Sequence, residues 1–196
     1  MSSGKDSTRT KRAAANTVTM LMVPGLGNSG PEHWQSIWEH KTPGVCRVQQ
    51  QDWARPIPDA WVHTLHQTIS TIHSPVVLVG HSAGTMAIVY WAARFQQPIH
   101  GALLVAPVDY EAQSPNLPPR DVLDEIGWTP VPRHLLPFPS ILVASTTDPW
   151  ISLTRAEYFA QQWGCQFVNI GDAGHINAVT GFGPWPEGEA LLQKLI

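Results

Sequence analysis

Cysteine, charge and long apolar runs are all scarce in this chain. Its two cysteines, Cys46 and Cys165, are too few for a disulfide framework and lack metal-ligand spacing. No apolar run approaches the ~18 residues of a membrane-spanning helix. The N-terminus carries charge but no apolar signal core, so a cytoplasmic protein with no membrane partner is expected. Charged residues make up only 14% of the chain, with a net charge of −3. That charge is unevenly placed, because Lys5, Arg9, Lys11 and Arg12 outnumber Asp6 in the first 16 residues. The remaining body is therefore acidic and offers no footprint for a phosphate backbone, which speaks against a nucleic-acid partner. Residues 1–16 read as a disordered basic tail, and 17–196 as one domain large enough for a real core.

What the chain does contain is an alternation of β-branched apolar runs and helical patterns. Val18–Val23, Val45–Gln49, Val76–Val79, Ala102–Ala106, Ile141–Ser145 and Gln166–Ile170 read as six strands. Short continuous apolar runs suit parallel strands covered on both faces. Between them, Pro31 and Glu32 suggest the start of a first helix, and Ile57, Trp61, Leu65, Ile69 and Ile72 form an apolar stripe. Ala83–Phe95 is helix-like, Ser152 is a plausible N-cap with Gly164 past the helix end, and a last helix runs from about Glu187 to Leu195. The pattern predicts an α/β fold: three layers around a six-stranded, mostly parallel, doubly wound sheet. One irregular stretch, 107–139, holds eight of the 18 prolines. It reads as a Pro-stiffened excursion or a minimal lid, with a short helix over Asp121–Ile126.

The most informative residues are Gly80-His81-Ser82-Ala83-Gly84, directly after the third strand. Gly-x-Ser-x-Gly at a strand-to-helix junction is the pattern of a nucleophile elbow, with small neighbours permitting a sharp turn and an exposed serine hydroxyl. A serine needs a base, and the base an orienting acid, in the chain order Ser, Asp or Glu, His. Of the downstream histidines, His100 precedes a strand, and so lies at the opposite edge of the sheet, while His134 sits in the Pro-rich stretch. His175 follows the sixth strand and shares the edge of Ser82. For the acid, Asp148 follows the fifth strand; Asp172 and Asp109 compete with it. Oxyanion donors are expected from the backbone N–H of Ala83 and from the loop after the first strand, at Leu26.

That loop also carries a dinucleotide-like spacing, Gly25-x-Gly27-x-x-Gly30, with Asp52 about 20 residues on. Pro31 removes an N–H that would face a pyrophosphate, and a bound cofactor leaves Ser82, Asp148 and His175 without a role. No cofactor or metal is expected. Of the nine tryptophans, Trp34, Trp150 and Trp185 fall near loops of the active edge and are candidate walls of a substrate pocket.

Taken together, Pro24-Gly25-x-Gly27 with His33-Trp34, Asp52-Trp53 with Pro56, the Gly80–Gly84 pentapeptide, Thr147-Asp148-Pro149 and Ala173-Gly174-His175-Ile176-Asn177 carry a resemblance. From about Val18 to Ile196 the chain resembles the small serine hydrolases of the retinoblastoma-binding-protein and YdeN type. The resemblance implies a nearly lidless α/β-hydrolase core with strand order 2-1-3-4-5-6, a triad of Ser82, Asp148 and His175, and hydrolysis of small carboxylic esters. That type also includes proteins named for binding partners, so a protein-interaction module on a hydrolase fold is the alternative function. The oxyanion loop departs from the His-Gly of many esterases, beginning Pro24-Gly25 instead.

Overall fold

Strand formation follows the apolar runs closely. In the computed structural model, which describes residues 18–196, β1 is Thr19–Val23, β2 Val45–Arg47, β3 Val76–His81, β4 Gly101–Val105, β5 Ser140–Ala144 and β6 Gln166–Asn169. They form one sheet in the order β2-β1-β3-β4-β5-β6, with every pairing parallel. Every residue of β3, β4 and β5 is buried, as expected of parallel strands with helices on both faces. The edge strands are partly exposed and shorter than their apolar runs. Val48 still donates to Met22 beyond the end of β2. The basic tail expected over residues 1–16 lies outside the described residues.

Because successive strand residues point to opposite faces, the sheet divides the core in two. Leu21, Val23, Leu78, Leu104, Leu142 and Ala144 pack against α2 (Pro58–Ser70), α3 (Ala83–Arg94) and α5 (Leu153–Trp163). Met20, Met22, Val77, Val79, Leu103 and Val143 pack against α1 (Trp34–Lys41) and α6 (Pro186–Leu192) on the other face. The predicted caps of α5 are present, Ser152 accepting from the Arg155 N–H and Gly164 adopting a left-handed conformation. Two helix ends differ from expectation. α1 starts at Trp34 instead of Pro31, because the His33 side chain caps it by accepting from the Gln35 N–H. The last helix stops at Leu192 and tightens into a 3₁₀ turn over Gln193–Leu195.

α3 lies so close to the end of β1 that a Cβ at Gly84 would fall 1.9 Å from the Val23 carbonyl oxygen and 2.6 Å from that of Pro24. Alanine is the better helix former by about 1 kcal/mol. Here the clash is with backbone that cannot rotate away, and overpacking of this kind costs about 3 kcal/mol or more. Gly84→Ala should therefore lower the melting temperature by about 5–10 °C in a domain of this size. An unchanged or raised melting temperature would show that β1 and α3 can separate cheaply.

Candidate active site

At the end of β3 the backbone turns sharply at Ser82, which holds φ 57° and ψ −127°. A non-glycine residue in this region stores strain and persists only when its surroundings enforce it. The enforcement is visible: the Ser82 N–H donates to the Val105 carbonyl of β4, and the loop after β1 presses on the turn. A Cβ at Gly25 would lie 2.7 Å from the Ser82 Cβ and 3.2 Å from the Ala83 nitrogen. Only glycine allows that approach, which accounts for the first glycine of the dinucleotide-like spacing without a nucleotide. Asp52, the acid of that spacing, is turned outward, accepting from the Ala54 and Arg55 N–H groups and pairing with the Arg55 guanidinium.

The structure brings Ser82, His175 and Asp148 into one hydrogen-bonded line. The Ser82 hydroxyl lies 2.9 Å from His175 Nε2, and His175 Nδ1 lies 3.0 and 2.9 Å from the two Asp148 oxygens. The Asp148 side chain is fully buried and that of His175 nearly so. Asp148 Oδ1 also accepts from the Trp150 N–H, which fixes the carboxylate plane. The competing residues are occupied elsewhere. Asp172 accepts from the Thr147 hydroxyl. Asp109 is held by the Arg155 guanidinium through two bonds. His100 and His134 are exposed.

Two short hydroxyl side chains, given no role in the sequence analysis, align Asp148 with His175. Ser145 Oγ accepts from the Ala173 N–H, and Thr147 Oγ1 accepts from the Gly174 N–H while donating to Asp172. They tie the loop after β5 to the loop after β6, and so Asp148 to His175. Their only signal was position, since both lie in the run immediately before Asp148.

Three histidine rings lie in a row behind the serine, in edge-on and tilted contact. His33 and His81 have ring centroids 4.7 Å apart, His81 and His175 4.9 Å. His81 Nε2–H donates to the His175 carbonyl at 2.9 Å, holding the backbone that carries the imidazole. Burial, reinforced by the charges of Arg47 and His175, pushes His33 down to about 4. Burial also drives His81 well below the ordinary histidine range, with His175 and His33 adding to it. Both rings are therefore neutral near pH 7, so neither opposes a positive charge forming on His175.

Neutrality of these rings has a cost in acid. The unfolded chain takes up protons at both histidines below pH ~6.5, whereas the folded chain resists until about pH 4 at His33. Stability should thus fall as pH drops through that window, by on the order of 3 kcal/mol for His33 alone once pH 4 is reached. The urea midpoint at pH 4.5 is expected well below that at pH 7, and His33→Gln should flatten the difference. A midpoint that holds steady in the wild-type protein across this range would contradict the assignment of buried, neutral rings.

Leu26 and Ala83 both line a cavity of about 610 Å³ that opens over Ser82. Among the described residues neither N–H donates to a protein acceptor, whereas the adjacent Gly27 and Asn28 N–H groups are engaged by Trp53 and Gly25 carbonyls. Trp150 lines the same cavity. Trp34 and Trp185 do not, which corrects the expectation that they wall a pocket. Both are buried in the second core, their rings meeting edge-to-face at 5.2 Å, and Trp34 Nε1–H donates to the Ile176 carbonyl. They brace the segment after His175 from beneath, because α1 and α6 pack on that face of the sheet. The far wall comes from the Pro-rich 107–139 segment, through Val108, Tyr110, Asn116, Leu117, Pro118, Leu123, Ile126 and Trp128. Its short helix, α4, spans Arg120–Ile126. The segment was readable as an excursion or a minimal lid, but its aperiodic apolar residues gave no sign of which would line a site.

Among the described residues no group of three or more His, Cys, Asp or Glu side chains is placed to hold a metal ion. Nor is any described helix long and apolar enough to cross a membrane. A family model described as serine hydrolase matches residues 20–194. A YdeN-like hydrolase from Pectobacterium atrosepticum is 38% identical, with 91% of this chain and 90% of that chain covered at a TM-score of 0.79. The ydeN gene product from B. subtilis is 24% identical over 91% of this chain and 98% of its own, with a TM-score of 0.75. Est1E from Butyrivibrio proteoclasticus shares the fold at 12% identity, covering 92% of this chain and 89% of that chain at a TM-score of 0.65. Comparison with curated proteins finds no match. With the sheet order, the strained serine turn and a family match along nearly its whole described length, the chain belongs to the serine hydrolases, as a small YdeN-like member of the α/β-hydrolase fold.

Proposed function

We propose that this serine hydrolase cleaves small carboxylic esters through an acyl-enzyme at Ser82. The observation that carries the reading is the unbroken line from the Ser82 hydroxyl through His175 to buried Asp148. His175 Nε2 takes the Ser82 proton as the oxygen attacks the ester carbonyl, and then gives that proton to the departing alkoxide. Asp148 keeps the other proton on Nδ1 and stabilises the imidazolium between these transfers. Water, deprotonated by the same nitrogen, attacks the acyl-enzyme and releases the carboxylic acid while Ser82 regains its proton. The Leu26 and Ala83 N–H groups serve the tetrahedral oxyanion, each donor worth about 10²- to 10³-fold in turnover. Residues 17–196 then act as one catalytic unit in which the 107–139 segment covers the site.

A fluorophosphonate probe is expected to label the folded protein on the peptide containing Ser82, and p-nitrophenyl acetate to be turned over with a burst. Folded protein that neither reacts with the probe nor turns over the ester would instead support an interaction module on a hydrolase fold.

A further inference from the structure

We propose that the acyl group this enzyme accepts is neutral, apolar and bulky, of medium-chain or aryl size, and that acyl chains bearing a carboxylate are refused. The inference rests on the hydrolytic reading above and adds the substrate class.

Among the described residues the cavity is lined by no Asp, Glu, Lys or Arg side chain. This is not for want of charge nearby. In the same 107–139 segment Asp109 and Glu111 turn away to bind Arg155, Glu111 also binds Arg133, and Asp124 pairs with Arg120. Each of these ions is matched outside the cavity, and Asp121 and Glu125 of the same segment do not line it. An ionised acyl chain would lose its hydration there with no opposite charge to replace it, only the neutral amides of Asn28, Asn116 and Asn177. The one carboxylate close by, Asp148, is buried behind His175 and would repel an anion.

The wall itself is apolar and already in place. Val108, Tyr110, Leu117, Leu123, Ile126 and Trp128 face the cavity. The Tyr110 and Trp128 rings stack at 4.7 Å and 23°. Trp128 is pinned at both ends, its indole N–H donating to the Pro56 carbonyl and its own carbonyl accepting from the Tyr90 hydroxyl. A fixed aromatic wall costs little ordering on binding. At about 610 Å³ the space is that of a pocket for a sizeable organic group. An acetyl group would leave most of that apolar surface unused, whereas each added methylene that reaches it should raise kcat/KM about fourfold.

The test compares the p-nitrophenyl esters of acetate, butyrate and benzoate with mono-p-nitrophenyl succinate, each kcat/KM divided by that ester's own hydroxide-catalysed rate. Butyrate and benzoate are expected to exceed acetate about tenfold or more. The succinate ester, as long as butyrate but anionic, should fall about 10²-fold below butyrate. Ile126→Lys, which puts a cation on the wall, should raise the succinate-to-butyrate ratio at least about tenfold. That ratio is independent of how much variant protein folds. A series flat within about threefold, or a succinate ester as good as butyrate, overturns this inference while leaving the esterase reading standing. Absence of both turnover and Ser82 labelling overturns the two together.

Discussion

Ser82→Ala should slow p-nitrophenyl acetate hydrolysis by about 10⁵- to 10⁶-fold, the scale on which removal of the serine acts in other triads. The loss is this large because Ser82 is the hydroxyl aligned on His175 Nε2. It is not total, because the Leu26 and Ala83 N–H groups and the apolar wall would still bind substrate and polarise its carbonyl. The fold should survive, since the Ser82 hydroxyl makes its one recorded bond to His175 and the turn is held by backbone contacts with β4 and the Gly25 loop. Steady-state rates, with far-ultraviolet circular dichroism as the control for folding, check this. A folded variant that keeps more than about one per cent of the activity would remove Ser82 from the nucleophile's role.

The second large effect is expected at Asp148. Its Oδ1 accepts from the Trp150 N–H while both oxygens face His175 Nδ1. In Asp148→Asn the carbonyl oxygen would keep the Trp150 bond, which turns the amide NH₂ toward Nδ1. That nitrogen must then accept, so the imidazole proton moves to Nε2, and the ring can no longer take the proton of Ser82. The geometry is preserved and the tautomer is wrong, a change that costs about 10⁴-fold in a comparable triad. A loss below tenfold would point to a different acid. Asp109 and Asp172 would be poor substitutes, the first locked by Arg155 and the second turned to Thr147.

The parts of the site that were legible in the sequence are those governed by local rules. Gly80–Gly84 directly after an apolar run announces its own geometry, because a strand, a sharp turn and a helix follow each other without a gap. His175 and Asp148 were legible because in an all-parallel sheet the residue after each strand comes out on one common edge. Residues whose role depends on two distant segments meeting gave no comparable sign. Ser145 and Thr147 are ordinary loop hydroxyls until the turn after β6 brings the Ala173 and Gly174 N–H groups onto them. His33 looked like part of a motif, but its work as helix cap and as the buried end of a row of histidines depends on contacts with His81 and α1.

The tryptophans show the same boundary. Trp34, Trp150 and Trp185 all lie near loops of the active edge in the sequence, yet only Trp150 reaches the cavity. Trp34 and Trp185 fall on the opposite face of the sheet. Linear position tells which edge a residue is near, but not on which side of the sheet it packs.

The sequence by itself thus determined the strands, their parallel sheet and the edge on which Ser82, Asp148 and His175 emerge, because these follow from apolar periodicity and from the fixed hand of parallel connections. The strand order came with the motifs that carry the family resemblance. Tertiary structure alone decided what surrounds that chemistry. An irregular proline-rich segment has no period to read, and only its packing against β3, α3 and the loop after β1 makes it the uncharged wall over Ser82.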